Sequence, residues 1–187
     1  MGQQKVSSER VSLFSDGVFA VIITILVLDL KVPATETFSN LLSLWPTGLS
    51  YAISYFFVAI VWVNHHHLFR FADTATYRLI WVNFAHLFMV SLVPFSTSWM
   101  AKSHLAAVPT ALYATVFVLV NATYIGLCWE AVHRSPEVDV PENIRNMMRM
   151  RSIATLILFA VAAGVSLISP FCGIALISIC LLLYLRP

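Results

Sequence analysis

Residues 10–29 read RVSLFSDGVFAVIITILVLD, and this stretch decides the class of fold. It begins with Arg10, carries Asp16 near its start and ends with Asp29, and it is mostly apolar between the two acids. A helix that crosses a membrane needs about 20 mostly apolar residues. The stretch therefore predicts a spanning helix. We expect it to be retained, because its apolar run is too long for a typical signal peptide and no clear A-x-A cleavage site follows it.

The composition of the whole chain agrees with a membrane protein. Of the 187 residues, 59% are hydrophobic and 11% are charged, whereas a soluble domain is roughly 45–50% apolar and about 25% charged. High hydrophobicity excludes intrinsic disorder, and a net charge of +2 gives no reason to expect a nucleic-acid partner. Cys128, Cys172 and Cys180 lie in apolar stretches, so we expect buried thiols rather than disulfides.

Six apolar runs predict an all-α membrane protein with six transmembrane helices, forming a single domain over residues 1–187. Ser169 and Pro170 predict a tight turn between the last two runs, because proline disfavours helix at the residue before it. The predicted spans are about 11–30, 44–69, 77–100, 108–133, 153–169 and 171–185.

The basic residues predict the orientation. With six spans and both termini in the cytoplasm, only Lys31 and Lys102 fall outside. This asymmetry follows the positive-inside rule. The residues assigned to the inner side are Lys5, Arg10, Arg70, Arg78, Arg134, Arg145, Arg149, Arg151 and Arg186.

The segment from Asn143 to Arg151 is read as an amphipathic helix that leads into the fifth span. Its arginines are expected near the anionic inner leaflet. Their role is open between setting the topology, which we favour, and binding specific lipids.

The first span divides into two faces at about 100° per residue. Asp16 lies about 140° from the centre of an aliphatic stripe and Ser15 about 120° from it on the other side, so the acid and the stripe face different neighbours. The stripe, about 100° wide, consists of Gly17, Val21, Thr24, Ile25 and Leu28.

Polar residues at the inner ends of the second and third spans are expected to pair with the start of the first span, because a polar group in hydrocarbon needs a partner. We expect one of the histidines or asparagines to pair with Asp16, and pH sensing by histidine stays open. The three consecutive histidines point about 100° apart and cannot ligate one metal ion together. These candidates are Asn64, His65, His66, His67, Asn83 and His86.

The chain lacks the sequence motifs that mark several classes of function. The chain shows no nucleophile paired with a base, no G-x-S-x-G and no P-loop, so we expect neither an enzyme nor a cofactor. The tryptophans fall mostly near span ends, where an interfacial aromatic belt explains them.

The motif Arg10-x-x-x-Phe14-Ser15-Asp16 resembles the R-x-x-x-F-S-D signature that opens the first helix of the transmembrane protein 175 family. The continuation to Lys31 and the run from Trp62 to His66 also resemble prokaryotic members of that family. The resemblance implies a potassium-permeable cation channel in the inner membrane of a prokaryote, assembled as a homotetramer of six-helix subunits. It further implies a pore lined by the first helix, without a T-V-G-Y-G filter.

The same resemblance assigns roles to individual residues. It places the hydrophobic constriction at Val21, with Ile25 and Leu28 further along, and the pore threonine at Thr24. The motif residues are expected to hold the first helix in position, with Arg10, Ser15 and Asp16 pointing toward the bundle of their own subunit.

Other functions remain open from the sequence. The main alternative is a proton-coupled secondary transporter that uses Asp16 with His65, His66, His67 and His86. The broken helices typical of transporters are not evident, and Pro94 is the one candidate for a break. A metal-dependent membrane enzyme is disfavoured by the histidine spacing, and a scaffold without transport is not excluded.

Overall fold

A computed structural model of the chain describes residues 6–33, 35–72, 74–133 and 142–184. These residues are mainly helical. The helices are α1 (Ser8–Leu28), α2 (Phe38–Ser43), α3 (Trp45–Phe69), α4 (Tyr77–Ser91), α5 (Val93–Lys102), α6 (Ala107–Cys128), α7 (Glu142–Ile168) and α8 (Pro170–Tyr184). A π-helical turn, Trp129–His133, continues α6.

Five helical segments of the described chain are long and apolar enough to cross a membrane, and α8 is a shorter apolar helix of 15 residues. The prediction of an all-α membrane protein is confirmed, and the chain is a multi-pass membrane protein. The five segments are Ser8–Leu28, Trp45–Phe69, Tyr77–Lys102, Ala107–Val132 and Arg145–Ile168.

The third span is interrupted at Leu92, between α4 and α5. Pro94 lies in the first turn of α5, where its missing N–H costs no helical hydrogen bond. The break flagged from the sequence is therefore present, although the two pieces together still make one span.

The helix α7 begins at Glu142, so the predicted amphipathic helix runs into the fifth span, which was expected from about residue 153, without a break. The short helix α2 was not predicted. Its N-cap is Thr37, whose hydroxyl accepts a hydrogen bond from the backbone N–H of Asn40.

A two-residue antiparallel pair also lies outside the prediction. Strand β1 (Val6–Ser7) pairs with strand β2 (Thr74–Ala75), with Val6 opposite Ala75. The pair ties the segment before α1 to the connection between α3 and α4.

Aromatic rings form the centre of the bundle. Phe57 of α3 stacks on Phe117 of α6 with ring centroids 3.5 Å apart, and Phe159 of α7 meets both rings edge-on. Helix association in a membrane depends on van der Waals packing and buried hydrogen bonds, because lipid is as apolar as the core. Close ring packing of this kind therefore holds α3, α6 and α7 together.

A buried hydrogen-bond network joins α3, α5 and α6. The Ser54 hydroxyl lies 2.7 Å from Thr97 Oγ1 and 2.8 Å from the Tyr113 hydroxyl. Thr97 donates to the carbonyl of Val93, so it accepts from Ser54, and Ser54 in turn accepts from Tyr113. No motif in the sequence pointed to this network.

The last two helices pack closely at Gly173. A Cβ on this residue would collide with the Ser166 hydroxyl and approach the carbonyl of Ala162. Glycine is therefore the residue that allows α8 to lie against α7 after the short turn at Ser169.

Arginines cluster at one end of the bundle, which the positive-inside rule assigns to the cytoplasm. The opposite end carries Lys31 and Lys102. Lys5, Arg134 and Arg186, which we also assigned to the inner side, lie outside the described residues. The described arginines of this cytoplasmic end are Arg10, Arg70, Arg78, Arg145, Arg149 and Arg151.

The cysteines are free thiols, as expected, but they are not all buried. Cys180 is buried, whereas Cys172 is exposed. Cys172 lies on the side of α8 that faces away from the bundle, where an apolar thiol is compatible with lipid.

Candidate functional site

The helix α1 has one face in the bundle and one face open. Of the five spanning segments α1 is the least buried. Within the apolar stretch of 18 residues that defines each span, 22% of the residues of α1 are buried in the subunit, against 28–44% for the other four segments. It packs against α3, α4 and α5. The buried face consists of Ser15, Phe19, Ile22 and Leu26.

The open face contains the whole stripe that we drew from helical spacing. Gly17 and Thr24 are exposed, and the exposed fractions of Val21, Ile25 and Leu28 are 55%, 43% and 79%. Phe14 is also exposed and makes an edge contact with Phe84 of α4. The single subunit thus leaves a mostly aliphatic surface on α1 uncovered.

Thr24 is the hydroxyl residue on this surface. Its hydroxyl donates a hydrogen bond of 2.8 Å to the backbone carbonyl of Val21. The hydroxyl proton is therefore used within the helix, and the oxygen lone pairs remain available on the exposed side. Such an oxygen is suited to accept a hydrogen bond or to contact a cation.

Asp16 pairs with a tryptophan rather than with the histidine or asparagine that we expected. The indole Nε1–H of Trp62 donates a hydrogen bond of 2.8 Å to Asp16 Oδ1. An indole N–H is a donor only, so it suits a carboxylate. Explaining Trp62 by the interfacial belt alone was wrong, because its indole N–H donates a hydrogen bond to the acidic residue of the motif.

The expected asparagine bonds to Ser15 instead, and the histidine bonds to that asparagine. Asn83 Nδ2 donates to Ser15 Oγ at 3.0 Å, and Ser15 itself donates to the carbonyl of Val11. This fixes the amide orientation, so Asn83 Oδ1 is the acceptor for His65 Nε2 at 2.8 Å. His65 therefore carries its proton on Nε2. The chain of bonds joins α1, α4 and α3 below the open face.

A second histidine lies beside the first. The His65 and His86 rings are nearly parallel with centroids 6.0 Å apart, and both side chains are fully buried. His86 Nδ1 lies 3.1 Å from Thr123 Oγ1, which donates to a backbone carbonyl of α6 and so accepts from the ring. The other nitrogens, His65 Nδ1 and His86 Nε2, make no hydrogen bond within the described residues.

The remaining polar candidates point away from this chain of bonds. His66 stacks on Trp62, and His67 is exposed at the cytoplasmic end. The backbone carbonyl of Asn64 accepts a hydrogen bond from Tyr124. Among the described residues no group of three histidine, cysteine or acidic side chains is placed to hold a metal ion.

The Arg10 side chain does not point toward the bundle of its own subunit, although we had expected it to. Ser15 is fully buried and Asp16 is partly buried toward the bundle, but Arg10 is exposed in the subunit. It lies in the first turns of α1, where the helix has not yet entered the packed part of the bundle.

The outer end of α1 is also tied to the bundle, through residues that the sequence did not identify as partners. Ser98 donates a hydrogen bond of 3.2 Å to Asp29 Oδ1, and Lys102 Nζ lies 3.9 Å from the same oxygen. Asp29 is thus paired within its own chain.

A family model described as "Endosomal/lysosomal potassium channel TMEM175" matches residues 10–94, which include the motif, Trp62, His65 and Asn83. A relative from Streptomyces collinus, named as a potassium channel, is 34% identical over 72% of this chain and 71% of its own length. The chain belongs to the TMEM175 family. This membership confirms the resemblance read from the motif.

Two further matches bear on the family's architecture. A Chryseobacterium protein named as a potassium channel is 38% identical over 62% of this chain, and the match spans 60% of that relative's length. A crystal structure described as a lysosomal potassium-selective channel TMEM175 homolog from Chamaesiphon minutus superposes with a TM-score of 0.85 at 28% identity, covering 95% of both chains. These relatives carry the names of channels, in agreement with the prediction that this chain is not an enzyme.

Proposed function

We propose that the chain is one subunit of a potassium-permeable cation channel, in which four copies surround a pore lined by α1. The observation that carries the proposal is the open face of α1, a mostly aliphatic stripe with one outward hydroxyl on the least buried spanning helix. The names of the family and of its matching members support the same class of function.

The geometry of a single subunit supports an oligomer, and the number four is the one that the family resemblance implies. One helix cannot enclose a pore, so the channel needs several copies, and closed rotational symmetry is the usual solution. Each copy then turns the same face of α1 toward the symmetry axis. This arrangement covers the surface that the isolated subunit leaves open.

The constriction is formed by Val21, Ile25 and Leu28. From Val21 to Leu28 the helix rises about 10 Å, so four copies make a short apolar neck. Such a neck gates by dewetting and makes ions lose part of their hydration shell. Valine is smaller than leucine or isoleucine, so the ring at Val21 leaves a wider constriction than either of those residues would leave at the same position.

The selectivity device in this proposal is a ring of four Thr24 hydroxyls. Because each proton is donated to Val21, the oxygens face the ion and replace part of its lost water. Potassium holds its hydration less tightly than sodium, so a moderate preference for potassium results. One ring of hydroxyls does not make the deep oxygen cage that strict selectivity needs.

The buried polar contacts hold α1 in place behind the pore. The Asp16–Trp62 bond fixes α1 to α3, and the bonds through Asn83 fix it to α4. In this role the motif residues position the pore face and do not touch the ion. The channel would lie in the inner membrane of a prokaryote, with potassium and other monovalent cations and the lipid bilayer as its partners.

A second candidate is the proton-coupled transporter. The observation that favours it is the pair of buried rings, His65 and His86, each with one nitrogen free of a hydrogen bond within the described residues. A relay between them and Asp16 would couple proton movement to transport.

Flux from purified protein in liposomes distinguishes the two candidates. Liposomes loaded with potassium chloride are diluted into a potassium-free medium at equal pH, and potassium release and luminal pH are followed with and without a proton ionophore. A channel carries net charge, so its potassium release stays small until the ionophore admits compensating protons. A transporter that exchanges potassium for protons releases potassium and acidifies the lumen without the ionophore, which contradicts the channel, and the absence of potassium release in both conditions contradicts both candidates.

A further inference from the structure

A cavity with two arginines in its wall opens at the cytoplasmic ends of α3, α7 and α8. Its volume is about 470 Å³. The charged side chains that line it are Arg70, from the end of α3, and Arg151, from α7, with His67 beside them. None of the described residues in its wall is acidic. The cavity therefore presents positive charge without a matching negative group in its own wall.

The same cavity borders an apolar slot between α7 and α8. Arg151 and Tyr184 line both spaces. The slot has a volume of about 220 Å³, and its remaining wall is mostly aliphatic, with Ala154, Leu158 and Leu183. A cationic cavity thus passes directly into a hydrophobic one.

We propose that these joined cavities are a binding site for an anionic phospholipid. The phosphate lies between Arg70 and Arg151, and the start of one acyl chain lies in the slot between α7 and α8. Guanidinium groups bind phosphate oxygens through paired N–H donors. A zwitterionic lipid carries the same phosphate, but its headgroup ammonium offsets the negative charge and is repelled by the two arginines, and a water-soluble anion makes no contact with an apolar slot.

The size and depth of the site agree with a lipid. Since a water molecule occupies about 30 Å³ in the liquid, the larger cavity has room for a headgroup with several waters. By the positive-inside rule both arginines lie at the cytoplasmic boundary, where anionic headgroups are found. The inference goes beyond the proposed channel function and does not depend on it, because none of the residues that line the site belongs to α1.

Retention of dioleoyl phosphatidylglycerol by the purified protein tests the site. The protein is titrated with this lipid in neutral detergent, and bound lipid is measured by native mass spectrometry. We expect Arg70→Gln and Arg151→Gln each to weaken binding about fivefold, the equivalent of about 1 kcal/mol for one arginine at a membrane surface. The matched control is Arg78→Gln, at the same end of the bundle but beside Glu130 and outside the cavity.

Further measurements in the same experiment distinguish binding of the lipid from binding of other anions. Dioleoyl phosphatidylcholine is expected to bind more weakly than phosphatidylglycerol, and Ala154→Trp, which fills the slot from an exposed position, is expected to weaken phosphatidylglycerol binding. Inorganic phosphate at millimolar concentration is expected not to displace the lipid. If Arg151→Gln does not fold, Arg151→Lys, which keeps the charge, is expected to retain the lipid with Ala154→Trp still weakening it.

Three results would overturn the proposal. Equal retention by Arg78→Gln and both cavity variants makes the cavity arginines irrelevant. Equal binding of the two lipids removes the role of charge. Unchanged binding in Ala154→Trp, together with displacement by phosphate, identifies a site for a free anion.

Discussion

Thr24 is the residue whose side-chain oxygen is proposed to meet the ion. Replacing it by alanine removes this oxygen and keeps the helix, because its bond to Val21 is local. We expect Thr24→Ala to lower the potassium-to-sodium permeability ratio about fivefold, the equivalent of about 1 kcal/mol of lost polar contact. The control is Thr24→Ser, which keeps the oxygen and should stay near wild type in bi-ionic liposome recordings. An unchanged ratio in Thr24→Ala contradicts the threonine ring.

Val21 tests the apolar neck. An asparagine there wets the constriction, so Val21→Asn should raise the single-channel conductance or weaken ion discrimination. The matched control is Val27→Asn, the same change on an exposed residue of the same helix about 120° around the axis. If both variants fold and conduct like wild type, Val21 does not line the pore.

Trp62 is the partner of the motif acid, and its effect belongs to stability rather than permeation. Trp62→Phe keeps most of the ring and removes the donor to Asp16. Because the hydrogen-bonded pair is partly exposed, we expect the free energy of unfolding to fall by about 1 kcal/mol. This change lowers the melting temperature by about 2–4 °C. In a double-mutant cycle, Asp16→Ala, which removes the acceptor, should cost less in the Trp62→Phe background than in wild type. Full additivity of the two changes would show that the hydrogen bond carries no stability.

At the scale of elements, the contact between α7 and α8 depends on Gly173. Gly173→Ala places a methyl group against Ser166 and the Ala162 carbonyl. We therefore expect the measured free energy of unfolding to fall by about 1–3 kcal/mol. The control is Gly164→Ala on α7, where nothing lies within 4 Å of the new Cβ. That change should be neutral or stabilising by up to about 1 kcal/mol, because alanine favours helix. Equal losses in the two variants would contradict the close approach.

The helices were predictable from the sequence because apolar length is the dominant signal in a membrane protein. The limits of α3 agree with the prediction to within a residue, and Pro94 marked the break before α5. The amphipathic start of α7 was predicted to within a residue, since it carries the same helical period as the span that follows it. The N-capping residue Thr37 was the one local sequence signal for α2, and the prediction did not use it.

The open face of α1 was also predictable, because helical spacing alone separates Val21 from Asp16. The partners across helices were not. Spacing shows that Asn83 and His86 share a face of α4, but it does not show which α3 side chain stands opposite Asp16. Trp62 and His65 are three residues apart on α3, and only the rotation of that helix decides that Trp62 contacts the acid while His65 contacts Asn83.

At the scale of the whole molecule, the proposal requires a closed ring of subunits. Light scattering of the detergent-solubilised protein, corrected for bound detergent, should give four times the chain mass of 20.9 kDa. Val21→Asn should keep this mass, because it changes the lumen of the ring and not the surfaces between neighbouring bundles. A mass of one or two chains would contradict a pore built from α1.

Two carboxylates, Asp16 within α1 and Asp29 directly after it, limit how the subunit can move. Asp16 and Asp29 are 13 residues apart, which is about 20 Å along the axis and about 140° around it on helical geometry. Each is held by a different part of the bundle, Asp16 by Trp62 and Asp29 by Ser98. Turning α1 about its own axis breaks both contacts, whereas tilting the whole subunit breaks neither. The two contacts therefore resist rotation of the helix about its own axis, and in the proposed channel they favour widening of the pore by outward tilting of each subunit as a rigid body.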